Sequence, residues 1–182
     1  MNFNTVDEVT SWRSFTFENV TYDLSHLDAR WVEYLDDRDF EKQSTYKFIV
    51  TYSFHCFAKD SEGLSEEEAE LLMYQAPRDS RPFNFERYEL SKHLPKIIDA
   101  LGEKETLVCH AGYGSFAAVK ILDTSGNEID YFVSFVVFKE KKKLRLHVQS
   151  AYPLDQKLGN VKKVGFFAIA KNLLLGKKLP KP

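Results

Sequence analysis

The residue types best suited to chemistry lie in one short stretch, Lys143–Pro153, which reads KLRLHVQSAYP. Alternation of apolar and polar residues predicts a β-strand whose apolar side, with Leu144, Leu146 and Val148, faces the core. The other side carries a guanidinium, an imidazole and an amide, followed by a hydroxyl and a phenol, from Arg145, His147, Gln149, Ser150 and Tyr152. We take this side of the strand as the first candidate working surface.

These residue types suit metal-independent cleavage of RNA. The reaction needs a base for the ribose 2′-hydroxyl, an acid for the 5′-leaving oxygen, and donors that stabilise charge on the phosphate. His147 can serve as acid or base, and Arg145 can hold a phosphate. Ser150 and Tyr152 can add hydrogen-bond donors, and Gln149 is a candidate substrate contact. The alternative interpretation is an ordinary polar, solvent-exposed sheet face.

A second candidate set near a predicted helix start consists of Arg81, Arg87, Tyr88 and Ser91, with His55 possible across the sheet. Two arginines there would form an anion pocket, because the free N–H groups and the helix dipole both favour negative charge. The set would then bind the substrate. Arg87 could equally form a surface ion pair with Glu86 or Glu89.

Metal and cofactor sites are not indicated by the motifs. The pairs His55-Cys56 and Cys109-His110 offer one ligand each to a common site, because adjacent strand residues face opposite sides, and a zinc site would stay two ligands short. The chain contains no CxxC, HExxH, Walker A or dinucleotide-binding glycine motif. We expect no metal and no cofactor, and we assign the acidic run Glu66–Glu70 to a helix start.

The elements that must position these residues predict an α+β fold. After Gly102 the pattern indicates an antiparallel meander of about four strands, over residues 106–110, 115–122, 129–138 and 143–153, with turns at Ala111–Gly114 and Asp123–Asn127. A few short helices should pack on one face of this sheet. We predict a single α+β domain over residues 1–182, with residues 1–12 and 177–182 loosely ordered.

The first half of the chain is predicted to contain strands at 14–22 and 46–59, with Cys56 in the core. Helical spacing of Trp31, Tyr34 and Leu35 indicates a short helical segment. Further helices should begin at the N-caps Ser65, with a capping box to Glu68, and Ser91, the second ending at Gly102. For residues 164–175 we favour a helix, with a last sheet strand as the alternative.

Charge is distributed unevenly along the chain. Residues 1–90 hold 19 Asp/Glu against 9 Lys/Arg, a net of −10, and residues 91–182 hold 8 against 16, a net of +8. This polarity suits an anionic partner such as nucleic acid, or the two parts simply meet each other in the fold. The N-terminus lacks a signal-peptide pattern and no apolar run is long enough for a membrane span. We therefore expect a cytoplasmic protein with free thiols at Cys56 and Cys109.

Several segments resemble a known family. They are Tyr22–Leu27 (YDLSHL), Tyr52–Phe57 (YSFHCF), Arg81–Phe83 with Arg87, Tyr88 and Ser91, and Gln149–Tyr152 (QSAY), in this order. The chain is similar in these segments, from about Phe15 to Lys178, to an uncharacterised family of small bacterial and prophage proteins. Some of its members are described as heat-shock or stationary-phase growth-adaptation proteins. The resemblance implies no established activity.

A second resemblance rests on Ser150-Ala151-Tyr152-Pro153, which is similar to the end of a sheet strand in the barnase/EndoU/colicin/RelE-like toxin nucleases. It implies that the catalytic residues lie in an RNA-cleaving cleft, and they would be His147, Arg145, Ser150 and Tyr152. The second acid or base has no motif of its own, and His55 is the candidate because of its polar strand face.

The leading hypothesis is a toxin-like, metal-independent ribonuclease of a mobile element, acting on RNA through the face that carries Arg145 and His147. The alternative is a non-enzymatic module that binds a protein or nucleic-acid partner. An antitoxin is one possible protein partner, and no membrane partner is expected. The sequence does not predict the oligomeric state.

Overall fold

A six-stranded sheet forms the centre of the computed structural model, which describes residues 9–112, 114–124, 127–155 and 159–181. The first strands are β1 (Phe15–Phe17), β2 (Val20–Tyr22), β3 (Arg30–Asp36), β4 (Ser44–Tyr52), β5 (Met73–Gln75) and β6 (Ser80–Pro82). The later strands are β7 (Leu107–Gly112), β8 (Ser115–Thr124), β9 (Asn127–Glu140) and β10 (Lys143–Pro153). The helices are α1 (Glu66–Leu71), α2 (Phe85–Ser91), α3 (Leu94–Asp99) and α4 (Phe166–Leu174). Short 3-10 helices span Ser25–Leu27, Phe54–Cys56 and Ala100–Gly102.

The strand order of the large sheet is β3-β4-β10-β9-β8-β7. The last four strands form the predicted antiparallel meander, and the mixed α+β class is confirmed. Two pairings in this sheet were not predicted. One is the antiparallel pairing of β3 with β4. The other is parallel, between β4 and β10, with Val50 beside Leu146 and Thr51 beside His147. This pairing joins the two halves of the chain and places β10 between β4 and β9.

The helices that cover the sheet pack on one of its faces. On α4 the buried residues Phe166, Ile169, Ala170 and Leu173 follow the i, i+3, i+4, i+7 spacing of an amphipathic helix, and Phe167 is buried beside them. The ring of Phe166 packs on Tyr34 and Phe48, with centroids 4.6 and 5.8 Å apart. On α3 the backbone carbonyl of Ile98 accepts a 2.8 Å hydrogen bond from the Tyr34 hydroxyl. The favoured helical assignment of residues 164–175 agrees with α4.

Three sequence assignments in the first half are wrong. The segment 14–22, predicted as one strand, is a hairpin of β1 and β2 that turns at the positive-φ residues Glu18 and Asn19. Trp31, Tyr34 and Leu35 lie on strand β3 and not on a helix, because pairing with β4 buries Val32 and Tyr34 together on one face. The strand predicted for 46–59 ends at Tyr52. The Ser53 hydroxyl accepts a hydrogen bond from the backbone N–H of His55 and caps the 3-10 helix Phe54–Cys56. Cys56 is buried in the core, as predicted.

The predicted helix starts have mixed outcomes. Ser65 forms the predicted capping box with Glu68 at the start of α1. Ser91 is not an N-cap but the last residue of α2, whose own cap is Asn84, the acceptor of a 2.9 Å bond from the N–H of Arg87. The Ser91 hydroxyl bonds back to the carbonyl of Tyr88 inside α2 and so does not cap a following helix.

Several predicted features involve residues outside the described ranges. The expected turns Asp123–Asn127 and Ala111–Gly114 include residues 125, 126 and 113, and the expected loose N-terminus includes residues 1–8. The C-terminal segment 177–181, expected to be loosely held, contacts the rest of the protein. The side-chain amide of Asn172 donates to the carbonyl of Lys178 (3.0 Å), and Leu179 packs against the core. No helix in the described ranges combines the length and apolarity needed to cross a bilayer.

Candidate functional site

Arg145 and His147 lie on the sheet face opposite to the helices, as their alternation on β10 predicted, but they are buried there. Arg145 is 7% exposed and its Nη1 donates a 2.9 Å bond to the Glu140 carboxylate. His147 is 9% exposed, and its Nδ1 lies 3.0 Å from the Thr51 hydroxyl on the parallel neighbour β4. Both side chains therefore have intramolecular partners.

The environment of His147 keeps the imidazole neutral. Burial, followed by the positive charges of Arg145 and His55, lowers the pKa of His147 to about 4. At neutral pH the imidazole of His147 is uncharged, so it can accept a proton but does not hold the extra proton of an imidazolium. His147 fits the role of a base or a hydrogen-bonding group better than that of an acid.

Gln149 and Ser150 lie at an irregularity of the sheet. The register between β10 and β9 shifts between Val148 and Ser150, which makes a β-bulge at Gln149. The Gln149 side-chain oxygen accepts hydrogen bonds from the hydroxyls of Ser115 (3.0 Å) and Ser134 (3.5 Å). These contacts place its amide on the same face as His147 and connect three neighbouring strands.

His55 comes to this region by a different route from the one expected. It lies on the 3-10 helix after β4 and not on a strand face, and it is half-buried with its ring against Phe54. Burial lowers its pKa, and the nearby charges of Arg81 and Arg87 act in the same direction. Its charge in turn contributes to the lowered pKa of His147, so the two imidazoles lie within electrostatic reach.

Arg87 brings members of the two predicted sets together. Its Nη1 donates to the backbone carbonyls of His55 and Ala58, both at 3.0 Å. Its guanidinium lies 5.9 Å from the ring centroid of Tyr152 at the end of β10. These bonds differ from the alternative of an ion pair with Glu86 or Glu89. Nη1 binds backbone carbonyls at the end of the 3-10 helix Phe54–Cys56 instead.

Of the other members of the second set, Tyr88 and Ser91 do not converge on this site, and Arg81 acts on it only through the effect of its charge on His55. Arg81 faces Asp79 at 3.5 Å, and the buried Ser91 hydroxyl donates to the carbonyl of Tyr88 (2.7 Å). Ser91 also lies 2.8 Å from Nε2 of His26, a contact between distant segments that no motif indicated. Tyr88 and Ser91 therefore contact the segment around His26, and both are buried in the core.

An exposed aromatic surface on the same face was missed by sequence reasoning. Trp31 is 49% exposed and neighbours Ile49, which in turn neighbours Arg145. The ammonium groups of Lys47 and Lys143 lie 5.3 and 5.9 Å from the Trp31 ring centroid. We call Trp31, Lys47 and Lys143 the Trp31 surface. Alternation over 30–36, if taken as a strand, would have indicated that Trp31 points outward.

The hairpin between β9 and β10 places two further lysines next to the Trp31 surface. Lys141 and Lys142 form its two-residue turn, with φ of 46° and 68°. Hairpins of this length need positive φ at both positions, which Asn and Gly adopt far more easily than lysine. Both side chains are exposed at the tip, directly before Lys143.

A groove of about 840 Å³ lies elsewhere, along the outer edge of β3. Its lining includes Glu33 and Leu35 of β3, Thr106 before β7, and Phe166 and Phe167 of α4. None of the predicted catalytic residues lines it. Within the described ranges, no three His, Cys, Asp or Glu side chains are grouped as metal ligands would be.

Comparison with known proteins identifies the family. A profile described as the YjaZ family matches residues 14–174. The protein named Protein YjaZ from Escherichia coli (strain K12) is 48% identical over 177 residues, which cover 96% of this chain and 97% of that protein. No solved structure matches the chain. Kinship with a bacterial protein family is thus confirmed, whereas the prophage origin and the resemblance to toxin nucleases stay predictions. The chain belongs to the YjaZ family.

Proposed function

We propose that this protein binds single-stranded RNA on the sheet face opposite to its helices, with the Trp31 surface as the contact point. The observation that carries the proposal is the half-exposed ring of Trp31, with the ammonium groups of Lys47 and Lys143 5.3 and 5.9 Å from its centroid. An exposed aromatic ring on a sheet, flanked by cations, is the arrangement with which proteins hold unpaired bases and their phosphates.

The ring and the lysines would act on different parts of the ligand. A base stacked on Trp31 would bury apolar surface that water now covers, and such stacking contributes about 1–3 kcal/mol per base. Lys143 would then face the adjacent phosphate. Lys47 is held by Glu33 at 2.7 Å, so it can keep its position beside the ring before RNA arrives.

Charge at the hairpin tip supports a polyanionic ligand over a neutral one. Lys141 and Lys142 are exposed beside the Trp31 surface, and residues 91–182 carry 16 basic against 8 acidic side chains. Cations along the path of a backbone release bound counterions when RNA binds, so affinity should fall steeply with salt.

Binding is favoured over cleavage because neither of the two candidate imidazoles is set up as a general acid at neutral pH. The pKa of His147 is lowered to about 4, and burial also lowers the pKa of His55. Neither imidazole would hold the extra proton that the leaving 5′-oxygen requires. Cytoplasmic RNA would be the ligand, which agrees with the buried free thiols of Cys56 and Cys109.

Metal-independent cleavage of RNA, as in a mobile-element toxin, is the second candidate. It is favoured by one observation: Arg87 donates to the backbone carbonyl of His55 and lies 5.9 Å from the ring centroid of Tyr152, so it brings these two candidate residues to one place. RNA fragments produced in the presence of a chelator by the wild type, and by neither His147→Ala nor His55→Ala, would support this candidate. Intact RNA with all three proteins would leave the binding role.

The binding proposal is tested by tryptophan fluorescence. The chain has two tryptophans, and Trp12 is buried in the core, so quenching by RNA reports on Trp31. We expect a single-stranded oligonucleotide to quench the wild type and to bind Trp31→Ala about tenfold more weakly or worse, as measured by anisotropy of labelled RNA. Leu71→Ala, which truncates an exposed leucine on α1, is the control that should bind like the wild type.

Equal RNA affinity of wild type and Trp31→Ala would contradict the assignment of the Trp31 surface. Absence of binding by the folded wild type at low salt would contradict the RNA proposal as a whole. The same face would then be left for a protein partner.

A further inference from the structure

We infer that a second copy of this chain docks on the outer edge of β3, so that the two β3 strands pair antiparallel across a two-fold axis. The pair would join two six-stranded sheets into one continuous sheet. The inference does not rest on RNA binding, and its test contains no RNA. It uses the same Trp31 ring, however, so this dimer and RNA stacked on Trp31 would exclude each other.

The two edge strands of the sheet differ in whether another segment of the chain pairs with them. The β7 edge is covered by the segment before α4, with backbone bonds from the His110 N–H to Lys162 and from the Val164 N–H to Val108. The β3 edge has no partner strand among the described residues, although β3 is seven residues long. A groove beside β3 is lined by Glu33, Tyr34 and Leu35 and also by this chain's own segments 101–108 and 163–167. Long uncovered edges recruit further strands.

The sequence of β3 is complementary to itself in one register. Residues directly opposite each other in an antiparallel pair point to the same face of the sheet. A two-fold axis that relates two identical strands must therefore lie at a residue and not between two residues. With the axis at Glu33, Trp31 faces Leu35 of the second copy, and Arg30 faces Asp36 of the second copy. An axis at either neighbouring position would set Glu33 against Trp31 or Leu35 of the other copy.

The side chains opposed in this register match in apolarity and in charge. Trp31 and Leu35 are 49% and 54% exposed. In this register the Trp31 side chain of each copy would cover the Leu35 side chain of the other copy, and both apolar surfaces would leave water. Arg30 is bound to Asp99 at 2.7 Å, and Asp36 is bound to Arg38 at 2.6 Å. The contact would therefore extend two existing ion pairs into one alternating network.

The axis position itself is unfavourable and supplies a sharp test. Glu33 would lie opposite Glu33 of the second copy, and like charges directly opposed destabilise a strand pair. The Lys47 ammonium at 2.7 Å offsets this repulsion only in part. Removal of the Glu33 charge should strengthen this dimer, whereas it would not affect a dimer formed elsewhere.

Sedimentation velocity of the full chain across a concentration series tests the inference. We expect a reversible dimer for the wild type, a dissociation constant raised about tenfold by Leu35→Lys, and one lowered about threefold by Glu33→Gln. Leu71→Lys places the same charge at another exposed leucine, on α1, and should leave the dimer unchanged.

A monomeric wild type at all concentrations would overturn the inference. So would a dimer that Leu35→Lys and Glu33→Gln leave unchanged, because it would lie at another surface. Hydrogen exchange gives the last outcome. Protected outward amides of β3 in a monomer would show that another segment of the same chain occupies the edge, which also overturns the inference.

Discussion

The Thr51 hydroxyl and the His147 imidazole meet across the parallel pair of strands β4 and β10, with Oγ1 and Nδ1 3.0 Å apart. Thr51 is 1% exposed and His147 is 9% exposed. A neutral imidazole satisfies this buried contact, whereas a charged one would have to lose its hydration. The protonation of His147 is therefore coupled to the stability of the β4–β10 pairing, which connects the two halves of the sheet.

Acid should destabilise the protein through His147. In the unfolded chain the imidazole binds its proton below the ordinary value of 6.5, and in the folded protein only below about 4. Between these values the unfolded state holds more protons, so the free energy of unfolding falls as the pH falls. The stability is complete above pH 6.5, and about 3 kcal/mol of it should be lost by pH 4. Urea unfolding at several pH values measures this loss.

His147→Gln is the variant that isolates this effect, since glutamine can still hydrogen-bond Thr51 and does not titrate. Its unfolding free energy should change less between pH 6.5 and pH 4 than that of the wild type. The lowered pKa values of His26 and His55 contribute in the same direction and remain in both proteins. His93→Gln changes an exposed histidine and serves as the control. Parallel pH profiles for wild type and His147→Gln would refute the prediction.

Gly102 should not tolerate a side chain. A Cβ at this position would lie 2.7 Å from Cζ of Phe167, whose ring is buried against the core. Overpacking of this kind costs about 1–3 kcal/mol, more than alanine gains from its lower chain entropy. We expect Gly102→Ala to lower the thermal midpoint. Gly159→Ala, whose Cβ meets nothing within 4 Å, should leave the midpoint unchanged or raise it slightly. Equal midpoints for the two variants would contradict the contact.

The turn at Lys141 and Lys142 should be more stable with other residues. The double change Lys141→Asn, Lys142→Gly removes the backbone strain of two lysines at positive φ, because Asn and Gly adopt these angles more easily. It should raise the free energy of unfolding by about 1 kcal/mol. The double change Lys141→Gln, Lys142→Gln removes the charges and keeps the strain, so it should leave stability unchanged. A stability gain for the glutamine variant as well would point to charge repulsion and not to backbone strain.

RNA affinity should depend on salt through individual lysines. If Lys143 contacts a phosphate, Lys143→Gln should lower the slope of log affinity against log salt by roughly 0.7, as expected for one contact to a single strand. Lys96→Gln, which changes an exposed lysine on α3, should not alter the slope. An unchanged slope for Lys143→Gln would remove Lys143 from the RNA contact, whatever its effect on affinity.

Local patterns predicted the parts of this protein that short-range physics determines. The alternation in β10, the capping box at Ser65 and the apolar stripe of α4 each depend on residues a few positions apart. The opposite sides of β10 therefore followed from the sequence, as did the antiparallel meander of the second half.

The tertiary structure alone decided which groups meet and how much water reaches them. Spacing placed Trp31 on a helix, and only pairing with β4 made it an outward residue of an edge strand. Thr51 and His147 are 96 positions apart, and no local signal indicates the parallel pair that joins them. Burial of that pair sets the charge state of His147, because desolvation depends on every neighbour and not on the residue type. The sequence determined the chemistry available, and the packing determined which of it remains exposed.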